Sequence, residues 1–412
     1  MRTGTPTVLH ALSRLRRDGW TGLGMQALRK GARAAIEKWG LSEPDFPLRE
    51  EDITDPAGLE QNHRSSGKTG PLVIGWVCTP PGPGSGGHTT FFRMVKAMED
   101  SGHRCILFLY DRNDDDVSRH ESLVRRHWPM LRAEIRSATR GMDGVDALVA
   151  SSWSSAHVLA ARSPQNVHRF YFIQDYEPYF YPRGALYALA EDSYRFGLTT
   201  IALGGMIGAV LKTELGQLPV ATVPFGCDTE TYHLIQDGHP RTGVVFYAKK
   251  RVDRRGYLMG KMALEEFHTL MPDQEIHVYG DTVSGWNIPV TNHGNLPPRQ
   301  LNVLYNRTIA GLTISFTNVS LVPGELLAAG NVPVLNESSF SAQVLSDPDA
   351  VWAPASPGRL ALALAATVSE PDIEKRAQRI AQRSRQDWSS SQAAFTSVVE
   401  SACAHRQEWE LT

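Results

Sequence analysis

Residues 309–335 carry the features of a strand, a loop, a short helix and a second strand, in that order. Residues 309–315 are an apolar run of strand length, residues 325–329 have the composition of a helix, Gly330 ends it, and residues 333–335 begin another apolar run. The two strands of such a unit lie parallel in one sheet, and parallel sheets bind ligands at the carboxyl ends of their strands. This segment therefore predicts an α/β fold with a ligand site beside the loop before the helix.

Glu325 lies in the first turn of this predicted helix. Its carboxylate can accept two hydrogen bonds from hydroxyl groups, such as those of a ribose, and the unpaired N–H groups at a helix start suit a phosphate. Acidic residues are also common at helix starts because they complement the helix dipole, without binding anything. Both interpretations stay open on the residues alone.

The sequence ELLAAGNVPV, residues 325–334, resembles the E-A-M-A-x-G-x-P-V signature of GT-B glycosyltransferases, a large, mostly retaining class that uses nucleotide sugars. The resemblance implies that Glu325 holds the nucleotide ribose. It also implies that the amides of Ser320 and Leu321, in the place of the family's Gly-Leu pair, bind the diphosphate.

This chain departs from that signature at two places. The family's G-x-P is stretched to the four residues 330–333, and the family's first glutamate, eight positions before the second, is replaced by Thr317. Thr317 cannot act as an anion toward the sugar.

A glycine-rich loop occupies the corresponding place early in the chain. Residues 71–77 predict a strand, residues 78–87 form the loop, and a helix with an apolar face follows. The loop alone fits an ordinary βα turn. In the family, an S-G-G-x sequence here lets the backbone approach both substrates, which implies that Gly86 and Gly87 bind the donor and His88 the acceptor.

The sequence QDYEPYFYP, residues 174–182, follows a predicted strand at residues 170–173. Aromatic rings can stack on sugars, and carboxylates can orient hydroxyls or take a proton, so we predict Asp175 and Glu177 to be catalytic and Tyr176 and Tyr179 to contact the acceptor. The segment resembles bacterial rhamnosyltransferases of surface-polysaccharide assembly, such as O-antigen and S-layer glycan synthesis. The alternative is an aromatic loop packed on the sheet, with Asp175 as a helix cap.

Five cations in residues 249–256, KKRVDRRG, lie between a predicted strand and a predicted helix at Tyr257–Leu270. Such a turn favours an anion, although it also fits a solvated basic surface. The family places an Arg and a Lys here, both on the donor diphosphate. The resemblance therefore assigns donor binding to Lys249, Arg254 and Arg255, with Lys249 and Arg255 also catalytic.

The predicted fold is α/β, with two Rossmann-like domains of the GT-B type facing a cleft. Residues 225–232 resemble the N-G-V-D-x-x-x-F hinge of the family, so we place the acceptor domain at residues 71–224 and the donor domain at 225–385. Residues 386–412 are predicted to form a helix that crosses back to the first domain. By the same resemblance, Asn295 and Leu296 contact the nucleobase.

The first 40 residues carry eight Lys and Arg against two Asp and Glu, with apolar residues interleaved. They predict two amphipathic helices that either contact an anionic membrane surface or pack on the main body. Residues 41–70 are polar and aperiodic and predict a linker, which completes an N-terminal extension at residues 1–70.

A formal net charge of −2 argues against a general nucleic-acid binder, and four scattered cysteines predict neither a disulfide framework nor a metal cluster. No signal peptide or membrane-spanning run is recognisable, so we expect a cytoplasmic protein, in addition to any membrane contact by residues 1–40.

The sequence thus predicts a metal-independent glycosyltransferase without a cofactor, acting with retention on a polysaccharide or lipid-linked glycan acceptor. By resemblance, its donor is dTDP-L-rhamnose. Two alternatives stay open: a GT-B sugar-nucleotide epimerase and a non-catalytic nucleotide- or glycan-binding subunit of a polysaccharide synthase.

Overall fold

The computed structural model describes residues 46–58, 67–82, 84–113, 116–338, 340, 345, 347–384 and 386–404. Residues 49–412 form one compact unit, and residues 1–48 form a second one. The predicted basic helices of residues 1–40 and the last eight residues lie outside the described residues.

Two parallel sheets build the described part of the main unit. The part of the chain around the first sheet is called the first half below, and the part around the second sheet the second half. The first has seven strands in the order β3-β2-β1-β4-β5-β6-β7, and the second has six in the order β10-β9-β8-β11-β12-β13. The strands of the first sheet are β1 Val73–Cys78, β2 Arg104–Leu109, β3 Glu134–Ser137, β4 Ala147–Ala150, β5 His168–Ile173, β6 Thr199–Leu203 and β7 Ala221–Val223. Those of the second are β8 Val244–Ala248, β9 Ile276–Gly280, β10 Thr291–Gly294, β11 Ala310–Thr313, β12 Val332–Asn336 and β13 Val351–Ala353.

Helices connect most pairs of successive strands within each sheet. Those of the first half are α1 Gly86–Asp100, α2 Ser118–His127, α3 Trp153–Arg162, α4 Ala185–Asp192 and α5 Gly205–Leu215. Those that follow are α6 Tyr257–Leu270, α7 Pro298–Arg307, α8 Val322–Ala328, α9 Pro357–Ser369, α10 Ile373–Arg383 and α11 Ser389–Ala404. None of the described helices is both long and apolar enough to cross a membrane.

Helix α11 packs in the buried core around the first sheet. The Phe395 ring of α11 stacks on the indole of Trp76 in β1 at 5.6 Å and meets Phe172 of β5 edge-on at 5.2 Å. Because all three side chains are fully buried, α11 is part of this core.

Helix α6 lies unusually close to the second sheet at Gly260. A Cβ atom at this position would lie 2.4 Å from Cζ of Phe246 in β8, so only glycine allows the approach. Since α6 follows β8 directly, this packing fixes the turn between them, which carries the five cations of the sequence.

The predicted linker is partly anchored. Asp52 is fully buried, forms an ion pair with Arg162 and accepts a hydrogen bond from the Tyr110 hydroxyl at 2.6 Å. The backbone N–H of Thr54 donates to Nδ1 of His157 at 3.0 Å. Residues 49–54 therefore pack on the first half, which corrects the prediction of a linker there.

Candidate active site

The two halves meet where β5 and β11 end. Asp175 follows β5, and its carboxylate accepts hydrogen bonds from the Thr317 hydroxyl at 2.8 Å and from the Asn318 N–H at 3.0 Å. The Asn318 side-chain amide in turn donates to the Gln174 carbonyl at 2.7 Å. These three bonds place an acidic side chain of the first half against the residue that replaces the family's first glutamate.

Both predicted catalytic carboxyl groups have a raised pKa. Burial raises the pKa of Asp175, although the Asn318 N–H and the Arg254 guanidinium oppose the shift. Burial also raises the pKa of Glu177 to about 8, although its carboxylate accepts the Trp153 N–H at 2.5 Å. At neutral pH Glu177 is therefore mostly protonated and can donate a proton or a hydrogen bond.

The cationic turn brings two arginines to the same place. Arg255 donates from Nη1 to the Ser315 hydroxyl at 2.9 Å, just after β11. The Arg254 guanidinium lies 4.1 Å from the centroid of the Phe180 ring, in the first half. Within the described part of the chain, Arg254 Nη1 is buried without a hydrogen-bond partner. Burial, and next the charge of Arg254, lower the pKa of Arg255. Both cations therefore gain from a bound anion.

The Lys249 side chain lies beside Asp281 and the Tyr247 ring in this structure. Its ammonium nitrogen lies 4.0 Å from an Asp281 oxygen and 5.4 Å from the centroid of the Tyr247 ring. Donor contact by Lys249 stays a prediction, and it requires the side chain to leave Asp281.

Glu325 lies in the first turn of α8, near the Tyr305 hydroxyl group. Burial raises its pKa to about 7, a hydrogen bond from Tyr305 lowers it, Asp228 raises it and Arg93 lowers it. The Tyr305 hydroxyl is also 2.6 Å from that of Tyr279. Glu325 is thus a partly charged acceptor near neutral pH.

Ser320 and Leu321 precede α8 and are half-buried, as a backbone approach to a diphosphate requires. The helix itself has only seven residues. Its dipole is therefore small, and cationic side chains must supply most of the positive charge at this edge.

Gly86 and Gly87 open α1, which Ser85 caps by accepting the His88 N–H at 3.4 Å. A Cβ atom on Gly86 would meet nothing within 4 Å, and one on Gly87 would lie 3.9 Å from the Gln174 side-chain oxygen. The glycine turn therefore borders the segment that carries Asp175 and is open enough for a ligand to approach its backbone.

The His88 ring pins this turn. Its Nδ1 lies 2.8 Å from the Ser85 hydroxyl and its Nε2 3.1 Å from the Thr79 carbonyl. The carbonyl must accept, so Nε2 carries a proton, and burial lowers the pKa of the ring. Contact of His88 with an acceptor stays a prediction that would require one of these bonds to open.

The structure contradicts the predicted contact of Tyr176 with the acceptor substrate, whereas the contact of Tyr179 stays a prediction. Tyr176 is fully buried, stacked on Tyr194 at 5.2 Å, with its hydroxyl donating to Glu191, so no ring face is free for a sugar. The Tyr176 ring, which we predicted to contact a sugar, is instead part of the buried core. Tyr179 is half-buried and donates to Glu214 at 3.0 Å.

Of the two predicted base contacts, Leu296 packs on the buried cluster that contains Tyr279 and Tyr305, whereas Asn295 is exposed. Contact of Asn295 and Leu296 with a nucleobase stays a prediction.

Arg93 of α1 was not predicted from the sequence. Its Nη2 lies 3.4 Å from an oxygen of Asp228, and its guanidinium lies 5.5 Å from the Trp388 ring. A single arginine on an amphipathic helix gives no sequence signal. Asn318 was not predicted either, because its role depends on contacts with the distant residues Gln174 and Asp175.

Among the residues that the structure describes, no group of three or more His, Cys, Asp or Glu side chains is arranged to hold a metal ion. The four cysteines are buried, and no two of them form a disulfide bond.

Two facing parallel sheets with a crossing C-terminal helix define the GT-B fold, and solved structures share it. HepE from Anabaena, solved with UDP and glucose, matches with a TM-score of 0.61 at 15% identity, covering 80% of this chain and 100% of HepE. A glycosyltransferase from Rickettsia africae gives a TM-score of 0.57 at 12% identity, covering 81% of this chain and 98% of that one. WaaG, a glycosyltransferase involved in lipopolysaccharide biosynthesis, gives 0.56 at 13% identity, covering 79% and 99%.

Sequence similarity extends to proteins of glycan assembly. Residues 145–205, from β4 to β6, match the family model of the WsaF N-terminal domain. The O-antigen biosynthesis protein RfbC of Myxococcus xanthus is 28% identical in an alignment 283 residues long, which covers 62% of this chain and 21% of RfbC. This chain thus spans about a fifth of that curated relative.

Proposed function

We propose that this protein is a glycosyltransferase that moves a sugar from a nucleoside diphosphate to a glycan acceptor of surface-polysaccharide assembly. The observation that carries the proposal is the pair Arg254 and Arg255, which face Asp175 across the cleft of a GT-B fold. The similarity to an O-antigen biosynthesis protein supports the glycan acceptor, and the UDP in HepE supports a nucleotide donor.

In this proposal the cations carry the chemistry of the leaving group. As the bond between the sugar and the diphosphate breaks, negative charge grows on the diphosphate and positive charge on the sugar ring. Arg255 and Arg254 offset the first, and the Asp175 carboxylate faces the second. Glu177, protonated near neutral pH, is placed to exchange a proton with a hydroxyl group of a substrate.

Glu325 and the turn amides of Gly86, Gly87, Ser320 and Leu321 complete the donor site in this proposal. Because guanidinium groups supply the positive charge, the transfer proceeds without a metal ion. The finer part of the proposal is that the donor is dTDP-L-rhamnose and that the anomeric configuration is retained. The resemblance of residues 174–182 to rhamnosyltransferases supports it.

The alternative of a non-catalytic subunit rests on Thr317, which removes a carboxylate from the second half. The hydrogen bond from Thr317 to Asp175 argues against it, because it returns a carboxylate to the same place. Release of free epimerised sugar in the absence of an acceptor would instead identify an epimerase.

The test replaces Arg255 by alanine and, as a matched control, the exposed Arg251 of the same turn. Removing one donor that stabilises a developing anion typically lowers turnover by about 10²–10³. We expect a loss of that size for Arg255→Ala and less than about threefold for Arg251→Ala, measured as transfer from labelled dTDP-rhamnose to a glycan acceptor. Equal rates in the two variants would contradict the proposal.

Thermal shift with nucleotides separates the donor from the fold. A ligand at 100 times its dissociation constant stabilises by about 2.7 kcal/mol. Stabilisation by UDP or GDP but not by dTDP would remove the rhamnose donor and leave glycosyl transfer standing.

A further inference from the structure

Phe316 presents an aromatic ring at the edge of the candidate site. The residue is 44% exposed, whereas Thr317 next to it is 1% exposed. Both neighbouring side chains are engaged, because Ser315 accepts a hydrogen bond from Arg255 and Thr317 donates one. A single exposed apolar side chain is ordinary on a protein surface, so exposure alone assigns no role. The position of the ring between two contacts of the site does require an explanation.

The cationic turn holds the ring in place. The Phe316 N–H donates to the Arg254 carbonyl at 2.9 Å. Gly256 lies beside the ring edge, since a Cβ atom there would be 3.3 Å from Cε2 of Phe316 and 2.4 Å from Cγ2 of Ile314. Its φ of +58° is also one that residues with a side chain rarely adopt. Because Gly256 has no side chain, the Phe316 ring can lie against the turn while much of its surface faces solvent.

A second phenylalanine reaches the same turn from the first half. The half-buried Phe180 ring lies 4.1 Å from the Arg254 guanidinium. Phe180 thus contacts the side chain of Arg254, and Phe316 contacts its backbone. The exposed ring therefore lies where the two halves meet and not on a remote surface.

Asn318, two residues further on, has a side-chain oxygen without a donor. Its Nδ2 donates to the Gln174 carbonyl at 2.7 Å, from the second half to the first, which sets the orientation of the amide. Its Oδ1 is buried and has no hydrogen-bond partner in the described part of the chain. An unpaired buried acceptor is costly, and a hydroxyl group would satisfy it. The segment thus combines an aromatic face with an acceptor for a hydroxyl, which suits a sugar.

We propose that the Phe316 ring is a platform for a sugar ring of the acceptor glycan and helps to select that glycan. The parts of the donor have other partners in the proposed function: the diphosphate at the two arginines, the nucleotide at Glu325 and the transferred sugar at Asp175. One face of a pyranose carries C–H groups, which pack on the face of an aromatic ring. The inference deepens the proposed function and rests on it, because it requires an acceptor sugar.

The experiment measures acceptor kinetics of the full-length protein. The donor is labelled dTDP-rhamnose or, where the protein does not use it, labelled UDP-glucose. The acceptors are the methyl pyranosides of rhamnose, glucose, galactose and mannose, which carry no lipid chain. We expect Phe316→Ala to raise the KM for an accepted pyranoside about three- to tenfold, the size of one aromatic contact. The donor KM and the melting temperature should stay as in wild type, and Phe316→Trp should keep the acceptor KM low.

Two variants separate stacking from other effects. Phe316→Leu keeps an apolar side chain but lacks a flat face, so it should also raise the acceptor KM. Val303→Ala is the matched control, because Val303 on α7 is likewise 44% exposed and should leave the acceptor KM unchanged. Equal acceptor KM values in wild type, Phe316→Leu and Phe316→Ala would overturn the inference. It would also fall if no pyranoside raised donor turnover above hydrolysis by water.

Failure of the proposed function has a different signature. If wild type neither hydrolyses nor transfers the sugar of either nucleotide, the proposed function itself is wrong, whatever the Phe316 variants do. If wild type uses the donor and Phe316→Ala keeps the acceptor KM of wild type, glycosyl transfer stands and only the role of Phe316 is lost. A rise in the donor KM alone would place the ring at the donor and contradict its assignment to the acceptor.

Discussion

Replacing Thr317 by glutamate would restore the family's residue and, in this chain, set a second carboxylate against Asp175. The Thr317 hydroxyl now donates to Asp175 at 2.8 Å, and Thr317 is buried. Two carboxylates about 4 Å apart repel by about 4 kcal/mol at an effective dielectric constant of 20. That energy corresponds to about three pKa units, so the pair is expected to hold one proton at neutral pH.

The cost in stability should depend on pH with a defined sign. Repulsion raises the pKa of the pair in the folded state above the value in the unfolded chain, which for such groups is about 4. The full stability of Thr317→Glu is therefore present below about pH 4 and is lost as the pH rises through the raised pKa. Urea unfolding of Thr317→Glu beside Thr317→Gln, which adds the same volume without charge, isolates this term.

Turnover supplies the decisive comparison. If a carboxylate at this place faces the sugar, Thr317→Glu should be slow, because the shared proton bonds the two carboxylates to each other and the one remaining charge no longer faces the sugar. The double variant Asp175→Ser with Thr317→Glu, which again has one carboxylate, should then transfer sugar faster than either single variant. A double variant that is slower than both, or a Thr317→Glu protein with wild-type turnover, would refute the reasoning.

Three further predictions concern Glu325, Gly226 and Phe180. Binding of the proposed donor dTDP-rhamnose, whose diphosphate does not titrate near neutrality, should weaken as the pH falls below about 7, by up to tenfold per unit, because an ionised Glu325 accepts a hydroxyl hydrogen bond more strongly than a protonated one. The donor affinity of Glu325→Gln should not change with pH over this range. Gly226→Ala places a Cβ 2.6 Å from the Asp387 carbonyl oxygen, so unfolding should become easier by about 1–3 kcal/mol in urea. Phe180→Leu removes the ring face at Arg254, worth about 0.5–2 kcal/mol, and should raise the KM for the donor severalfold while the melting temperature changes little.

The second half of the fold was largely predictable from the sequence. The strand at Val244–Ala248 and the helix at Tyr257–Leu270 begin and end where the patterns predict. Both are long apolar patterns bounded by turn residues, for which local preference and burial agree. The fold class followed from the same patterns, and the GT-B assignment from the resemblance.

Other elements carried too weak a pattern. Helix α2 has a single buried residue, Val124, and the four-residue strand β3 has two, so neither repeats its apolar period often enough to be recognised. Helix α3 begins at Trp153, within the sequence SSWSS of residues 151–155, whose small polar residues suggest a loop; in the structure Ser152 and Ser155 form a capping box.

The site was predictable as a set of residues but not as a set of contacts. Asp175 was predicted to be catalytic and Thr317 was noted as a departure, yet nothing local indicates that 142 residues apart they share a hydrogen bond. The prediction for Tyr176 was wrong for a different reason. An aromatic residue after a strand end fits both a sugar platform and a core position, and only its packing against Tyr194 distinguishes the two.

The contacts across the cleft are reciprocal, which bears on how a donor would enter. Asp175 reaches from the first half to the backbone of the second, and Arg254 reaches back to Phe180 of the first. Arg254 and Arg255 are like charges in a partly buried site: burial and next the charge of Arg254 lower the pKa of Arg255, and the charge of Asp175 offsets this in part. In the proposed reaction, a diphosphate beside these arginines would supply more negative charge than Asp175 does. The Asp175 carboxylate would keep its hydrogen bonds from Thr317 and Asn318, so the same carboxylate could face the sugar while the arginines bind the leaving group.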